Sequence, residues 1–544
     1  MEEKLKNSSS KKLFLSGVAI MTLSTTLVKV IGLIYKIPML KYLGEEGMAY
    51  FNAAYDIYTM FYMISTAGLP VAISILISEN RVHGNQRNIK KIFKVAVSLF
   101  FIIGVVGMLL MMLFSKSFSA WIKIDEAAYC IVAIAPTLLF ICISSAIRGY
   151  FQGHQIMSPT AVSQVIEALG KLVIGLLLAG YALKKGYSLP IVAAFAVCGL
   201  SIGTLASVLY LLISKLLIRI NNRELVPDGA IQTQRTSDIA SKMIYIAIPI
   251  TLSSSVMGLT RLVDTALISR MLQSAGFADN LSKALYGNYT TLCVPIYNLP
   301  PAIITGISLS LVPMLTSAIE AKNREKESMV LTSSLRVCTL FAMPCALGVA
   351  FFSKPILELL FFGEGKSVGV ATPLLSILGA SILFACLMNV SNAILQAYKQ
   401  ERKPIISMAV GAVVKIVLDY LLIGNPKINI YGAPISTFLC NVTVMVINFY
   451  YIKKYSSEFE GIGKLFYRPL ISSVISVGGA FLIYAFARNE IGPSRIVTIA
   501  SIGGAAVLYL VCAVLFKAVE PDDIKMLPGG NGIYGLLKKI KIYK

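Results

Sequence analysis

Leu27-Val-Lys-Val-Ile-Gly-Leu-Ile-Tyr-Lys-Ile-Pro-Met-Leu40 decides how this chain is read. It closes an apolar run that begins at Leu13, longer than the ~20 residues a helix needs to cross a hydrocarbon core. Lys29 and Lys36 stand inside it, about two helical turns apart and therefore on one face. Runs of the same kind recur at 48–77, 92–114, 127–152, 160–183, 189–218, 243–272, 285–318, 330–353, 367–398, 404–424, 432–453, 465–487 and 495–517. The pattern predicts an all-α polytopic membrane protein of about fourteen transmembrane helices.

Composition points the same way. The 544 residues are 56% hydrophobic and 14% charged, with 49 Lys and Arg against 27 Asp and Glu, a net charge of +22. Such an excess in a soluble chain would suggest nucleic acid. Here the basic residues gather in the short gaps between apolar runs, on alternate sides, so no nucleic-acid role is expected. One side holds the N-terminus and the groups Arg81/Arg87/Lys90/Lys91, Arg219/Arg223/Arg235/Lys242, Lys322/Arg324/Lys326, Lys399/Arg402/Lys403 and Lys453/Lys454/Lys464/Arg468. With Arg148 and the basic tail that side carries about thirty positive residues against about a dozen opposite, which marks it as cytoplasmic and places both termini there. The first run continues past Lys29 without a small-residue cleavage site and reads as an uncleaved helix. Nine cysteines lack any CxxC pair and the only histidines are His83 and His154, so neither a metal site, a disulfide framework nor a cofactor is expected.

The opening stretch has a counterpart. Leu27–Leu40 aligns with Leu259-Thr-Arg-Leu-Val-Asp-Thr-Ala-Leu-Ile-Ser-Arg-Met-Leu272, and Gln152, Pro159 and Lys171 align with Gln396, Pro404 and Lys415. Six helices intervene, so the copies keep one orientation, a transporter arrangement with its site between the halves. The organisation this implies is an N-lobe at 1–218 (helices 1–6), a cytoplasmic linker at 219–242, a C-lobe at 243–454 (helices 7–12), two further helices within 455–517 and a basic cytoplasmic tail at 518–544. The tail's mixture of apolar and basic residues suits an anionic membrane surface.

Charges inside the spans single out the candidate site. They are Lys29, Lys36, Asp56, Glu167, Lys171, Arg261, Asp264, Lys415 and Asp419. Each costs about 2.5–3.5 kcal/mol at the bilayer centre on insertion scales, so they should face one another or water. Glu167/Lys171 and Lys415/Asp419 are i,i+4 and Arg261/Asp264 are i,i+3, so each pair can neutralise itself as structure or serve in coupling. Lys29 and Lys36 have no acid on their own helix, and Asp56 can match only one of them; snorkelling to the interface is the alternative for each. Unmatched ammonium groups in a wet cleft suit an anion such as phosphate. Tyr35, Tyr50, Tyr55, Tyr58 and Tyr62, with Asn52, crowd the first two helices, and Tyr286, Asn288, Tyr289, Tyr297 and Asn298 the eighth. Such rings stack on sugars or anchor helices at interfaces. Pro38, Pro70, Pro249, Pro295, Pro300, Pro301 and Pro313 favour kinks suited to gating. Gly199-Leu-Ser-Ile-Gly203 predicts close helix packing. Gly365-Lys366-Ser367 lacks the first glycine and the strand of a phosphate-binding loop.

Lys29-Val-Ile-Gly-Leu-Ile-Tyr-Lys36, Gly68-Leu-Pro-Val-Ala-Ile-Ser74, Arg148-Gly-Tyr-Phe-Gln-Gly153 and Arg261-Leu-Val-Asp264 resemble the multidrug/oligosaccharidyl-lipid/polysaccharide (MOP) exporter superfamily. Within it they resemble the bacterial branch of stage V sporulation protein B and the MurJ-type lipid II flippases. The resemblance covers essentially the whole chain. It implies a transporter rather than an enzyme, in the bacterial cytoplasmic membrane. Undecaprenyl-diphosphate-linked sugar, lipid II above all, would pass from inner to outer leaflet by alternating access, driven by membrane potential or an ion gradient. It also implies basic residues of the first helix in a central cavity, a place Lys29 and Lys36 match, although MurJ relatives carry arginines there and an arginine in the helix where this chain has Asp56.

The expected substrate-contacting set is Lys29, Lys36, Asp56, Tyr55, Arg261 and Asp264, with Glu167, Lys171, Lys415 and Asp419 as coupling or structural pairs. Expected partners are a lipid-linked oligosaccharide, membrane lipids, Na+ or H+, and cell-wall synthesis enzymes, with the protein a monomer. A cation or drug antiporter built on Asp56 and Asp264, an exporter of another lipid-linked polysaccharide precursor, and a glycosyltransferase acting on lipid-linked sugars are the competing readings.

Overall fold

Helix α1 runs Glu2–Thr66, but Gly44 inside it has φ +61° and breaks the helical path. A straight helix of 65 residues would reach about three hydrocarbon thicknesses. Glycine adopts the left-handed region without a Cβ clash, and here it turns the chain back. Lys36 and Asn52, sixteen residues apart, are in hydrogen-bond contact across the turn. The first two spans are thus the two arms of α1. The second arm stops at Thr66, and α2 (Leu69–Val82) restarts beyond Gly68 with Pro70 in its first turn. That break is where a proline, lacking an N–H, is best tolerated.

The computed structural model describes residues 2–82, 85–218, 234–456, 462–491, 494–516 and 518–519. Most of the expected linker and tail, His83, and the side chains of Pro249 and Pro313 lie outside the described residues. After α2 follow α3 (Gln86–Leu113), α4 (Ser115–Ile122), α5 (Ala127–Gly153), α6 (Ser158–Lys184), α7 (Leu189–Leu217), α8 (Thr236–Ser274) and α9 (Asp279–Asn288). A π-helical turn at Tyr289–Cys293 leads into α10 (Val294–Glu320), then α11 (Arg324–Phe351), α12 (Ser353–Leu360), α13 (Gly365–Ala397), α14 (Arg402–Ile423), α15 (Gly432–Tyr455), α16 (Ile462–Ile491) and α17 (Arg495–Leu515). Among the described residues there is no strand. Among the described residues, eleven helical stretches are long and apolar enough to span a membrane. The first of them contains both arms of α1, and α8 and α10, at 39 and 27 residues, add two more of spanning length. The chain is an all-α, multi-pass membrane protein.

The sequence repeat is visible in the elements. Helices α3 and α11 both run 28 residues, and each is followed by an eight-residue helix beginning Ser-Lys, at Ser115-Lys116 and Ser353-Lys354. Two compact units form. The first is Met1–Thr291 with Ile423–Ile430; the second is Leu292–Leu422 with Tyr431–Lys544. Packing therefore divides the chain after Thr291, whereas the repeat divides it near 243. The difference arises because α8 and α9 bury their faces on α1 and α2.

Within the first unit, α6 and α7 meet glycine to glycine. A Cβ on Gly199 would collide with Gly175, and one on Gly170 with Gly203, so the backbones approach as only glycines permit. Outward-facing flanks are apolar, with Leu113 76% and Leu177 68% exposed, as suits lipid contact. In the second unit, α16 and α17 attach through a cluster of Phe352, Val477, Ala480 and Tyr484.

Candidate functional site

Lys36 is the centre of a polar cluster in the first unit. Its Nζ donates to the Thr290 carbonyl at 2.7 Å and to Asn52 Oδ1 at 3.1 Å. The availability of that carbonyl follows from local sequence. Continuing the π register of Tyr289–Cys293 would pair the Thr290 carbonyl with the N–H of residue 295, and residue 295 is a proline. The orphaned acceptor takes the ammonium instead. Asn52 fixes the same turn from its other side, donating Nδ2 to Thr290 Oγ1 at 3.0 Å and Thr291 Oγ1 at 2.8 Å.

Asp56, able from sequence to match one of the α1 lysines, makes no direct ion pair with Lys36 among the described residues, although the two charges act on each other. Its Oδ2 accepts from Thr265 Oγ1 at 2.7 Å on α8 and from Tyr286 OH at 3.0 Å on α9. Two hydroxyls reach it directly, and the direct contacts of Lys36 are to neutral oxygens. Arg261, one turn before Thr265, makes no ion pair with Asp264 among the described residues, contrary to the i,i+3 expectation; its charge acts on Asp56 and Lys36. Asp264 is half-buried on α8, close enough to Tyr286 for its charge to be felt there. Lys29 is exposed and makes no ion pair among the described residues; its charge acts on Lys171.

Glu167 and Lys171 likewise make no direct ion pair among the described residues, although the Glu167 charge acts on Lys171. Glu167 Oε2 lies 3.0 Å from Arg148, whose guanidinium is buried between α5, α6 and α7 and donates to Ser163 and Ser207 as well. Arg148, grouped from sequence with the cytoplasmic loop charges, is thus a buried ion-pair partner. Its rigid fork reaches an acid and two hydroxyls at once, which outcompetes a lysine on the acid's own helix. Lys171 turns to aromatic faces, its Nζ 4.3 Å from the Tyr55 ring centroid, 5.2 Å from Tyr35 and 5.5 Å from Phe51. Those rings begin a ladder continued by Tyr58 and Tyr62 along the second arm of α1.

In the second unit, Lys415 Nζ lies 3.5 Å from Asp419 Oδ2 and donates to Thr437 Oγ1 at 2.9 Å. Ser436, on α15, donates to Asp419. This pair is buried among hydroxyls.

The first-unit cluster thus contains Lys29, Lys36, Arg148, Lys171 and Arg261 against Asp56, Glu167 and Asp264, five positive groups to three negative. Arg148 and Glu167 form its direct ion pair. The cluster draws on helices of both sequence halves, and among the described residues named here the formal charges leave an excess of about two positive charges.

A polysaccharide biosynthesis protein model matches residues 14–319, which is more than half of the chain and includes every member of the cluster, and a MatE model matches residues 289–421. The chain belongs to the polysaccharide biosynthesis protein family, within the MOP superfamily. It is 26% identical to the lipid II flippase MurJ of Bacillus subtilis (strain 168) over 542 residues, covering 95% of this chain and 97% of that protein. It is 24% identical to stage V sporulation protein B of the same organism, covering 95% and 98%. A solved lipid II flippase MurJ, in an inward closed conformation, superposes with TM-score 0.70 at 16% identity, over 92% of this chain and 98% of that one.

Several residues of this family member's cluster escape a reading of the sequence. Thr265, Thr290 and Thr291 are hydroxyls in apolar surroundings and have no distinguishing pattern. Pro295 reads from sequence only as a kink, although its missing N–H is the signal that a carbonyl upstream needs a donor. Lys283, within α9, is 4% exposed. It pairs with Glu126 at 2.8 Å and Asp279 at 2.7 Å; Asp279 at i−4 is the available clue.

Proposed function

We propose that this chain is a flippase for undecaprenyl-diphosphate-linked sugar, with lipid II as its cargo, carrying the headgroup from the inner to the outer leaflet of the bacterial cytoplasmic membrane by alternating access. Both termini are then cytoplasmic, on the side with the larger basic excess. The observation that carries the reading is Lys36, a half-buried lysine whose ammonium is met directly by a carbonyl and an amide oxygen, with Lys171 and Arg261 close enough to repel it and Asp56 opposing them. A diphosphate replaces those neutral oxygens with charged ones and relieves the repulsion. The similarity to MurJ and stage V sporulation protein B, over nearly the full length of each, supports the same reading.

Energetics fit an outward direction. A headgroup with two negative charges leaving a negative interior gains about 4–5 kcal/mol at 100 mV, from about 2.3 kcal/mol per charge. Membrane potential alone therefore suffices if the empty carrier returns without compensating charge; Na+ or H+ coupling through Asp56 or the Lys415–Asp419 pair is the alternative source. Cell-wall synthesis enzymes would consume the product.

In proteoliposomes the chain should move lipid II between leaflets, and Lys29→Ala with Lys36→Ala should abolish that movement. Normal flipping by the double variant rejects the site. A cation or drug antiporter is the second reading, favoured by the MatE match and by the hydroxyl-bound carboxylate of Asp56. Proton-coupled dye efflux abolished by Asp56→Asn, with no lipid movement, would establish it instead.

A further inference from the structure

Among the described residues, Lys171 makes no direct ion pair with a carboxylate, although the charge of Glu167 reaches it. Glu167 lies one turn away on the same helix, and Arg148 holds it at 3.0 Å. The Lys171 ammonium rests on the Tyr55 face at 4.3 Å, with Tyr35 and Phe51 at its margin. Tyr35 is itself tied to the neighbouring helix, since its OH donates to the Ala196 carbonyl at 3.2 Å. Aromatic faces hold an ammonium less strongly than a charge-assisted hydrogen bond to an oxyanion does. Lysine's four-carbon stem allows the exchange from ring to oxyanion.

We propose that Lys171 is a specificity-determining residue of this site, a reserve cation parked on Tyr55 that leaves the ring to bind the second phosphate of a diphosphate lipid. The inference rests on the flippase reading and deepens it. A monophosphate is met by Lys36 and Arg261 on their own. A diphosphate brings the additional charge that draws Lys171 off its ring, and the repulsion between Lys36 and Lys171 then becomes joint attraction to one anion. The chain thereby distinguishes a sugar-bearing diphosphate lipid from a monophosphate lipid bearing the same sugar, a difference of one phosphoryl group that sugar contacts do not report.

The experiment compares undecaprenyl diphosphate and undecaprenyl monophosphate bearing the same sugar, in proteoliposomes of wild type, Lys171→Met, Lys171→Arg and Lys36→Met. Lys171→Met should slow diphosphate-lipid movement by about tenfold and collapse the preference for diphosphate over monophosphate, while Lys171→Arg keeps most of it. An unchanged preference in Lys171→Met overturns the proposal, even where Lys36→Met still blocks transport and the flippase reading stands. If wild type moves neither lipid, the flippase reading fails and this inference with it. Should Lys171→Met not fold, Lys171→Gln and Tyr55→Leu are assayed by thermal stabilisation of detergent-purified protein with inorganic pyrophosphate and with phosphate. Wild type should favour pyrophosphate and both variants should lose the difference; retention of the difference by both overturns the proposal.

Discussion

Lys36 Nζ stands 2.7 Å from the carbonyl of Thr290, so a charge on the first span closes the gap that Pro295 opens in the helix following α9. The residue thus has two duties, to complete the π turn and to carry the charge of the proposed headgroup site. Lys29 has only the second. Lys36→Met should therefore lose transport and destabilise the protein by about 1.5–3 kcal/mol, the worth of hydrogen bonds to a charged group. Lys29→Met should lose transport with its melting temperature nearly unchanged. Equal melting temperatures for the two variants would show that the Thr290 contact does not support the turn.

The Arg148–Glu167 pair joins α5 to α6 with Ser207 of α7 as a third contact. Breaking such a pair by removing one member leaves a buried charge and costs about 3–5 kcal/mol when both are fully desolvated. Glu167 retains 20% exposure, so Glu167→Gln should fall at or below the lower end of that range. Arg148→Met combined with Glu167→Leu should recover most of the loss. A double variant as unstable as Glu167→Gln would mean that the hydroxyl contacts of Arg148, rather than the ion pair, hold the three helices.

The spans, the repeat and the α1 lysines are legible in the sequence because each depends on the chain's own periodicity. A run of ~20 apolar residues has one low-energy solution in a bilayer, and a charge within it is conspicuous. Pairing is not legible. Glu167 at i−4 from Lys171 looks like its partner, yet Arg148, nineteen residues before Glu167, reaches it from another helix. Asp56 likewise goes to hydroxyls on α8 and α9, more than 200 residues away. Same-helix spacing says which charges are able to meet; which of them do is decided by neighbouring helices whose approach is set by glycines such as Gly170 and Gly203.

His154 offers a test of pH dependence. It follows α5, is 4% exposed, and has its ring against Tyr150, while Arg81 donates to its carbonyl at 3.0 Å. Burial lowers its proton affinity below the ordinary value of 6.5; a hydrogen bond to the Tyr150 carbonyl opposes the shift and nearby Arg81 adds to it. The unfolded chain then takes up the proton first as pH falls through 6.5, so stability is full above that value and declines below it, until the folded value is passed. His154→Gln should flatten the decline in melting temperature on acidification below pH 6.5. Parallel wild-type and variant profiles would remove His154 from the account.

Lys283 ties α9 to the corner before α5, and the Gly44 turn packs beside it. Its ammonium bridges Glu126 and Asp279 at 2.8 and 2.7 Å, and one turn later a Cβ on Gly287 would collide with the carbonyl of Glu45. Burial alone would make Lys283 easier to deprotonate, but its bonds to the two acids hold its affinity for the proton above the ordinary lysine value. Lys283→Met should leave two acids facing each other and destabilise this end, by less than the about 3–5 kcal/mol of a fully buried pair because Glu126 and Asp279 keep solvent contact. Exchanging the charges, with Lys283→Glu and Glu126→Lys together, should restore part of the melting temperature. The two exchanged groups again attract each other, while Asp279 alone stays without its partner. Gly287→Leu should weaken the same contact by sterics alone and should not respond to the exchange. If the exchanged pair melts no higher than Lys283→Met, the triad's contribution comes from the ammonium over the Tyr50 ring, 5.8 Å from its centroid, rather than from the two acids.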